Sequence, residues 1–229
     1  MTWHEGPLAA LDLEATGIDP REARIIEVGL FRFEPDGSTV PLVDRLIDPG
    51  VPLPGKVTAL TGITPNDLAA RGGDPVDVLT ETRAAIVALV DAGIPIVIYH
   101  ATYDWPLLAN ELARHRLDAL PRVPPAILVD PLVLDRHVDR FRKGKRTLGV
   151  VADHYGVPLE GAHRAAGDAA ATVGVARRIA EQYPKLQADG PGLVALQVGA
   201  HAEWRDSFNA YLAKVGASRS PITEEWPTG

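Results

Sequence analysis

The chain contains no cysteine. That removes disulfide frameworks, thiolate zinc sites, iron–sulfur clusters and cysteine nucleophiles at once. No apolar run approaches the roughly 18–20 residues of a membrane span, so no membrane association is expected. The stretch Met1–Gly6 has no basic segment followed by an apolar one, so no signal peptide is expected and the chain reads as cytoplasmic. Positive charge is not in excess either: a net charge of −7 argues against a protein coated in base for nonspecific nucleic-acid binding. It leaves room for a local basic face, or for an acidic cluster that holds metal. There is no internal repeat and no low-complexity tract. What remains is ordinary globular composition, with 46% hydrophobic and 23% charged residues among 229. That length suits one α/β domain of about 150–200 residues with an appendage. Such a chain buries roughly 70% of its unfolded surface and needs no structural metal to hold together.

Alternation and turn chemistry organise the first 50 residues. Gly6–Glu14 reads as a strand with acids at its end, and Arg24–Glu34 as a second strand. Pro35, Asp36 and Gly37 make a turn. Ser38–Asp48 returns as a third strand, which Pro41 places at a sheet edge. Pro49–Thr64, with its prolines and glycines, reads as a structured loop, and Thr64 as a helix cap. Val76–Asp91 has helical apolar spacing and is ended by Gly93. Ile94–Tyr99 and Ala126–Val129 are short apolar runs of the kind found in buried strands. Helices are expected at Tyr103–Leu117, Leu148–Tyr155 and Ala165–Tyr183. The order predicts an α/β fold: a mixed sheet of five strands flanked by helices. Domain boundaries are expected at 1–183 for this body and 184–229 for a C-terminal helix with an extended tail from Ser218.

Acidic residues carry the chemistry. Asp12 and Glu14 lie two apart on a strand, so both side chains point to one face. Two carboxylates on one face repel unless a cation sits between them, and hard divalent cations suit such an oxygen site. A solvated strand end would look the same in sequence. Asp104 falls just past a buried strand at the start of a helix, where the helix dipole alone would favour an acid. Asp168 sits among Ala169, Ala170, Ala171 and Val173, and a charge on so apolar a stretch needs a partner or a metal. His163 precedes it by five residues, and a lone histidine in a loop is usually structural or exposed.

Taken together these clusters resemble the three motifs of the DEDDh family of 3′–5′ exonucleases, which includes the proofreading epsilon subunit of bacterial replicative polymerases. The matching segments are Leu11–Gly17, Ala101–Asp104 and His163–Asp168, supported by Ile25–Gly29, Leu60–Thr64 and Lys145–Leu148. The resemblance covers Leu8 to Tyr183. It implies a ribonuclease-H-like fold, with Asp12, Glu14, Asp104 and Asp168 holding two divalent ions, Mg²⁺ or Mn²⁺. It implies that His163 is the general base that takes a proton from the attacking water. Two positions depart from the family pattern. His100 stands where an asparagine is usual, and Ala15 where a threonine is common.

The implied substrate is the single-stranded or frayed 3′ end of DNA. Ala15, Thr16 and Gly17, Leu60 and Thr61, and His100 and Tyr103 would lie around the terminal nucleotide. Each also has a bland role as turn, loop or core. Val138–Arg146 carries five basic residues against one acid, among them Arg142, Lys143 and Lys145. This run is either a solvated loop or a patch that guides nucleic acid by its phosphates. The stripe Trp204, Phe208 and Tyr211 belongs to a C-terminal helix that either caps the domain or serves partner binding or self-association, and a polymerase or repair protein is the partner expected for the chain. Two alternatives stay open. One is an RNA-trimming enzyme of the same fold, since a 2′-hydroxyl is read by contacts the motifs do not reveal. The other is a non-catalytic nucleic-acid-binding scaffold, which loss of a metal ligand would favour.

Overall fold

Strands β1 (Leu8–Ala15), β2 (Ile25–Phe33) and β3 (Thr39–Leu46) form an antiparallel meander at the start of the chain. This is a computed structural model, and it describes residues 2–124, 127–159 and 165–228. Strand β1 pairs on its other side with β4 (Ile96–Val97), and β4 with β5 (Leu128–Val129), both parallel. The five-stranded sheet runs β3-β2-β1-β4-β5. Strands β1 and β2 are almost wholly buried, which explains their long apolar runs, whereas β3 is largely exposed at the edge. Pro41 sits on that edge strand, where the ladder shifts register opposite Leu30 and Phe31.

The pleat of β1 divides the core in two. Ala9, Leu11 and Leu13 face one layer, built on α3 (Pro75–Asp91) and α4 (Ala101–Arg114). Leu8 and Ala10 face the other, built on α6 (Leu148–His154) and α7 (Ala165–Gln182). Asp12 and Glu14 continue the second row, past the point where apolar packing stops.

Several elements differ from the sequence reading. Gly55–Thr61 within the expected loop is a helix, α1. Its three prolines all precede it, Gly62 closes it at φ 74°, and Val57 anchors it in a small cluster with Ile26, Ile63 and Leu68. Thr64 caps α2 (Pro65–Arg71) with a reciprocal bond to Asp67. Helix α4 starts two residues before the expected position, because Asp130 accepts the backbone N–H groups of both His100 and Ala101. Pro131–Val138, which carried no assignment, is helix α5, capped by the same Asp130 through the Leu132 amide.

Helix α8 (Gly190–Val215) does not present its aromatic stripe to the core. Leu193, Val194, Gln197, Ala200 and His201 are buried against α5 and β5, while Trp204 and Phe208 are half-buried and Tyr211 is exposed. Buried Gln197 donates to the Leu128 carbonyl and accepts from the Asp130 amide, which satisfies the outer edge of β5. The tail forms no regular element, but it returns to the body. Asn209 exchanges two hydrogen bonds with Ile222, and Trp226 is buried with its indole N–H donating to Asp130. Among the described residues no helix is long and apolar enough to cross a membrane.

Candidate active site

Three carboxylates meet where the apolar packing on the α7 face of β1 ends. Oxygen atoms of Asp12, Glu14 and Asp168 lie within 4.8 Å of one another. The strand supplies the first two at i and i+2, and the first turn of α7 supplies the third. Gly29, paired with Asp12 on β2, makes the approach of α7 possible. A β-carbon there would stand 2.4 Å from that of Ala165. Glu27, opposite Glu14 on β2, is buried and accepts from the Ala165 amide, so it also seats α7.

Asp104, in the first turn of α4, is buried beside this group. Burial raises its pKa well above the carboxylate range, and the negative charges of Asp12 and Glu14 raise it further. Asp12 is raised in the same way, by burial first and then by Glu14, Asp168 and Glu27. Burial, with Glu27 and Asp168, pushes Glu14 up to about 7. Among the described residues Asp12, Glu14 and Asp104 accept no hydrogen bond and form no ion pair. Converging oxygen ligands that repel one another fit divalent cations, with Asp12, Glu14, Asp104 and Asp168 as the residues that would hold them. His163 lies outside the described residues.

The other expected residues divide by what their polar groups already do. Ala15 follows a shift in the β1–β2 register. Thr16 closes the hairpin: its amide donates to the Arg24 carbonyl and its hydroxyl accepts from the Arg24 amide. The Tyr103 hydroxyl donates to the Gly17 carbonyl, tying this turn to α4. Leu60 is exposed on α1, whereas Thr61 is buried and its hydroxyl donates to the Val57 carbonyl. His100 adopts φ 67°, with its amide on Asp130 and its ring at the lip of a groove.

The basic run is not uniform. Arg142 donates to Asp135 and Asp139, and Arg146 also donates to Asp135, which is fully buried and takes a further bond from Tyr155. Lys143 and Lys145 are exposed. Arg142 therefore serves as an internal tie.

Sequence reasoning missed Glu27 and Asp130. Glu27 was legible as an acid inside an otherwise apolar strand, and Asp130 as a cap before Pro131. It also missed Arg136 on α5, since that helix was not anticipated.

A mixed sheet of this order, with acids gathered at the end of its central strand, defines a ribonuclease-H-like nuclease architecture. The profile of the exonuclease family matches residues 9–176, and the chain belongs to that family. It is 31% identical over 161 residues to the PolC-type DNA polymerase III of Clostridium perfringens, which covers 70% of this chain and 10% of that protein. The Streptococcus agalactiae protein of the same name is 30% identical over 173 residues, 75% of this chain and 11% of its own. The chain thus spans about a tenth of the length of these relatives. Among solved structures, Escherichia coli exonuclease I in complex with a dT13 oligonucleotide superposes with a TM-score of 0.63 at 18% identity, over 79% of this chain and 42% of that one. A moderately thermophilic exonuclease I from Methylocaldum szegediense gives 0.63 at 23% identity, over 79% and 42%. The exonuclease I structures share this fold.

Proposed function

We propose that this chain is a metal-dependent exonuclease that removes nucleotides stepwise from the 3′ end of single-stranded DNA. The convergence of Asp12, Glu14 and Asp168, with Asp104 beside them, carries the reading. Two Mg²⁺ or Mn²⁺ ions would be held by these acids, and when bound they supply positive charge to the phosphodiester under attack and to its leaving oxygen. The chain's own residues do the rest. Asp12 and Glu14 stand on the central strand of the sheet, and Glu27 and Gly29 fix α7 so that Asp168 meets them. Asp130 fixes the first turn of α4 and with it Asp104. Tyr103 holds the Thr16–Gly17 turn beside the acids, where a terminal nucleotide would rest. His163, two residues before α7 in sequence, takes the proton of the attacking water, work suited to an imidazole with a pKa near 6.5.

DNA is favoured because an exonuclease I of the same fold is known in complex with a dT13 oligonucleotide. The PolC-type relatives suggest a polymerase setting and a protein partner. In this reading residues 1–183 carry the chemistry, and residues 184–229 brace it and extend its substrate surface.

One gel tests the proposal. Strands of DNA and RNA with a 5′ label, single and duplex, are incubated with Mg²⁺, Mn²⁺ or EDTA. Stepwise shortening of labelled single-stranded DNA that stops in EDTA is expected. Full activity in EDTA, or fragments cut only in mid-chain, would reject it. Faster loss of RNA than DNA would move the substrate to the RNA-trimming alternative.

A further inference from the structure

Arg136 on α5 is a half-buried guanidinium that forms no hydrogen bond and no ion pair among the described residues. It lies over the indole of Trp204 on α8, with 3.6 Å from guanidinium carbon to ring centroid. Burial lowers its pKa only to about 10, so it is charged at neutral pH. An arginine held on a tryptophan face keeps its N–H donors for a ligand outside, and their planar fork matches a phosphate.

The surroundings extend this arrangement. Trp204 is stacked on Phe208, with centroids 5.7 Å apart and planes 13° apart, and Phe208 lies 6.4 Å from Tyr211. Arg219, from the returning tail, sits over Phe208. Arg136, Trp204 and Phe208 are the common wall of two hollows. The larger, about 1040 Å³, runs past His100 to Ile18 and to Tyr103, the neighbour of Asp104 in the first turn of α4. The smaller, about 400 Å³, continues between α5 and α8 to Arg140 and exposed Phe141. Arg146 of the lining is already paired with Asp135, and the other arginines, Arg21, Arg136, Arg140 and Arg219, face three carboxylates, Asp19, Glu203 and Glu224, in a chain of net charge −7.

We infer that this groove is the track for the substrate strand upstream of its 3′ end, with Trp204 holding Arg136 to grip a phosphate and the outer rings of the ladder, Phe208 and Tyr211, stacking bases. The occupant is a single strand of nucleic acid. A single strand offers unpaired base faces to the rings and a phosphate to the guanidinium, whereas a duplex keeps its base faces stacked within the helix. Its π-faces and guanidinium read no base edge, so the track tolerates any sequence. The inference rests on the exonuclease reading for what lies at the far end of the groove.

Binding tests it without cleavage. Fluorescence anisotropy with 5′-labelled dT12 and dT3 in Ca²⁺, over a range of salt, compares the parent with Arg136→Gln, Trp204→Ala and Phe208→Ala. Each variant should weaken dT12 on the order of tenfold and reduce the parent's preference for dT12 over dT3. For Arg136→Gln the slope of log Kd against log salt should fall by about 0.7, one single-strand phosphate. Thermal melting checks each fold. Arg136→Gln, whose parent side chain has no polar partner to lose, carries the test if Trp204→Ala unfolds. Unchanged dT12 binding in Arg136→Gln and Phe208→Ala, or equal weakening of dT3 and dT12, overturns the inference. A parent that binds dT12 through these residues but never shortens it keeps the groove and discards the exonuclease reading. A parent that shortens dT12 while the variants bind normally does the reverse.

Discussion

Asp12, Glu14 and Asp104 are held near one another with no ion pair among the described residues, and this sets how the metal-free protein responds to pH. Glu14 is pushed up to about 7 in the fold, while in the unfolded chain it titrates near the ordinary glutamate value of about 4.3. Its protonated form therefore favours the fold, fully below about pH 4, and that contribution is lost as pH rises through 7. In EDTA the melting temperature should fall between pH 4.5 and 7. Asp12→Asn removes one of the repelling charges, so it should melt higher than the parent at pH 7 in EDTA and lose the rise that Mn²⁺ gives the parent. A variant that melts lower in EDTA and still responds to Mn²⁺ would show that Asp12 is not a ligand. His163→Asn should differ in kind, binding Mn²⁺ nearly as well as the parent with kcat lowered by about 10²–10⁴, the usual worth of a general base. Calorimetry with Mn²⁺ and single-turnover rates separate the two, and a His163→Asn that loses metal as Asp12→Asn does would make His163 a ligand. Arg142 and its lysine neighbours should also part. Arg142→Ala strips donors from buried Asp135 and should cost about 1.5–3 kcal/mol by denaturant melt. Replacing exposed Lys143 and Lys145 with Ala should leave the melt unchanged and raise KM at low salt.

Whether the acids converge is decided by elements, above all by how closely α7 sits on β2. At Gly29 a β-carbon would meet Ala165, the first residue of α7, at 2.4 Å. Gly29→Ala must push the start of that helix outward, and Asp168 with it. We expect about 1–3 kcal/mol of lost stability from overpacking, together with weaker Mn²⁺ binding and slower turnover. The matching change Gly199→Ala, on α8 where a β-carbon meets open space, should leave Mn²⁺ binding as in the parent. Equal metal affinity in both would show that α7 needs no close seat. How legible these elements were in the sequence follows their length and the reach of what fixes them. The three long strands and α3 and α7 carry full periods of apolar residues, and their expected bounds agree with the structure to within about two residues. Helices α1 and α5, of 7 and 8 residues, are too short to show a period. Strands β4 and β5 pair over two residues each, although their apolar runs are longer, because burial extends beyond the ladder. The start of α4 is set by Asp130, some thirty positions away, and no local pattern encodes that. The acids could be named as a set only through the motifs they share with a known family, and their convergence and the unpaired state of Arg136 exist only in the assembled layers.

At the scale of the molecule, the last forty residues reach the site through one buried carboxylate. Asp130 accepts from the amides of His100, Ala101 and Leu132 and from the Trp226 indole, and its own amide donates to Gln197 of α8. The tail and α8 are thus joined to the first turn of α4, whose next residues include Asp104. Trp226 contributes in two separable ways. Its ring fills part of the core on the α3 and α4 side, and its N–H supplies one donor to Asp130. Trp226→Phe keeps most of the packing and removes the donor; three backbone donors remain, so a loss of about 0.5–1.5 kcal/mol is expected. Trp226→Ala also opens a cavity and should cost about 3–5 kcal/mol. The two variants divide a stabilising tail from a positioning one. If the tail only adds stability, turnover and Mn²⁺ affinity measured well below each melting point should equal the parent's in both. If it fixes α4 through Asp130, Mn²⁺ affinity and kcat should fall in both, more in Trp226→Ala, at temperatures where circular dichroism shows each variant fully folded. We expect the second outcome, because the fourth donor on Asp130 completes the shell that holds the His100 and Ala101 amides in place. Parent-like affinity and rate in folded Trp226→Ala would confine the tail to stability.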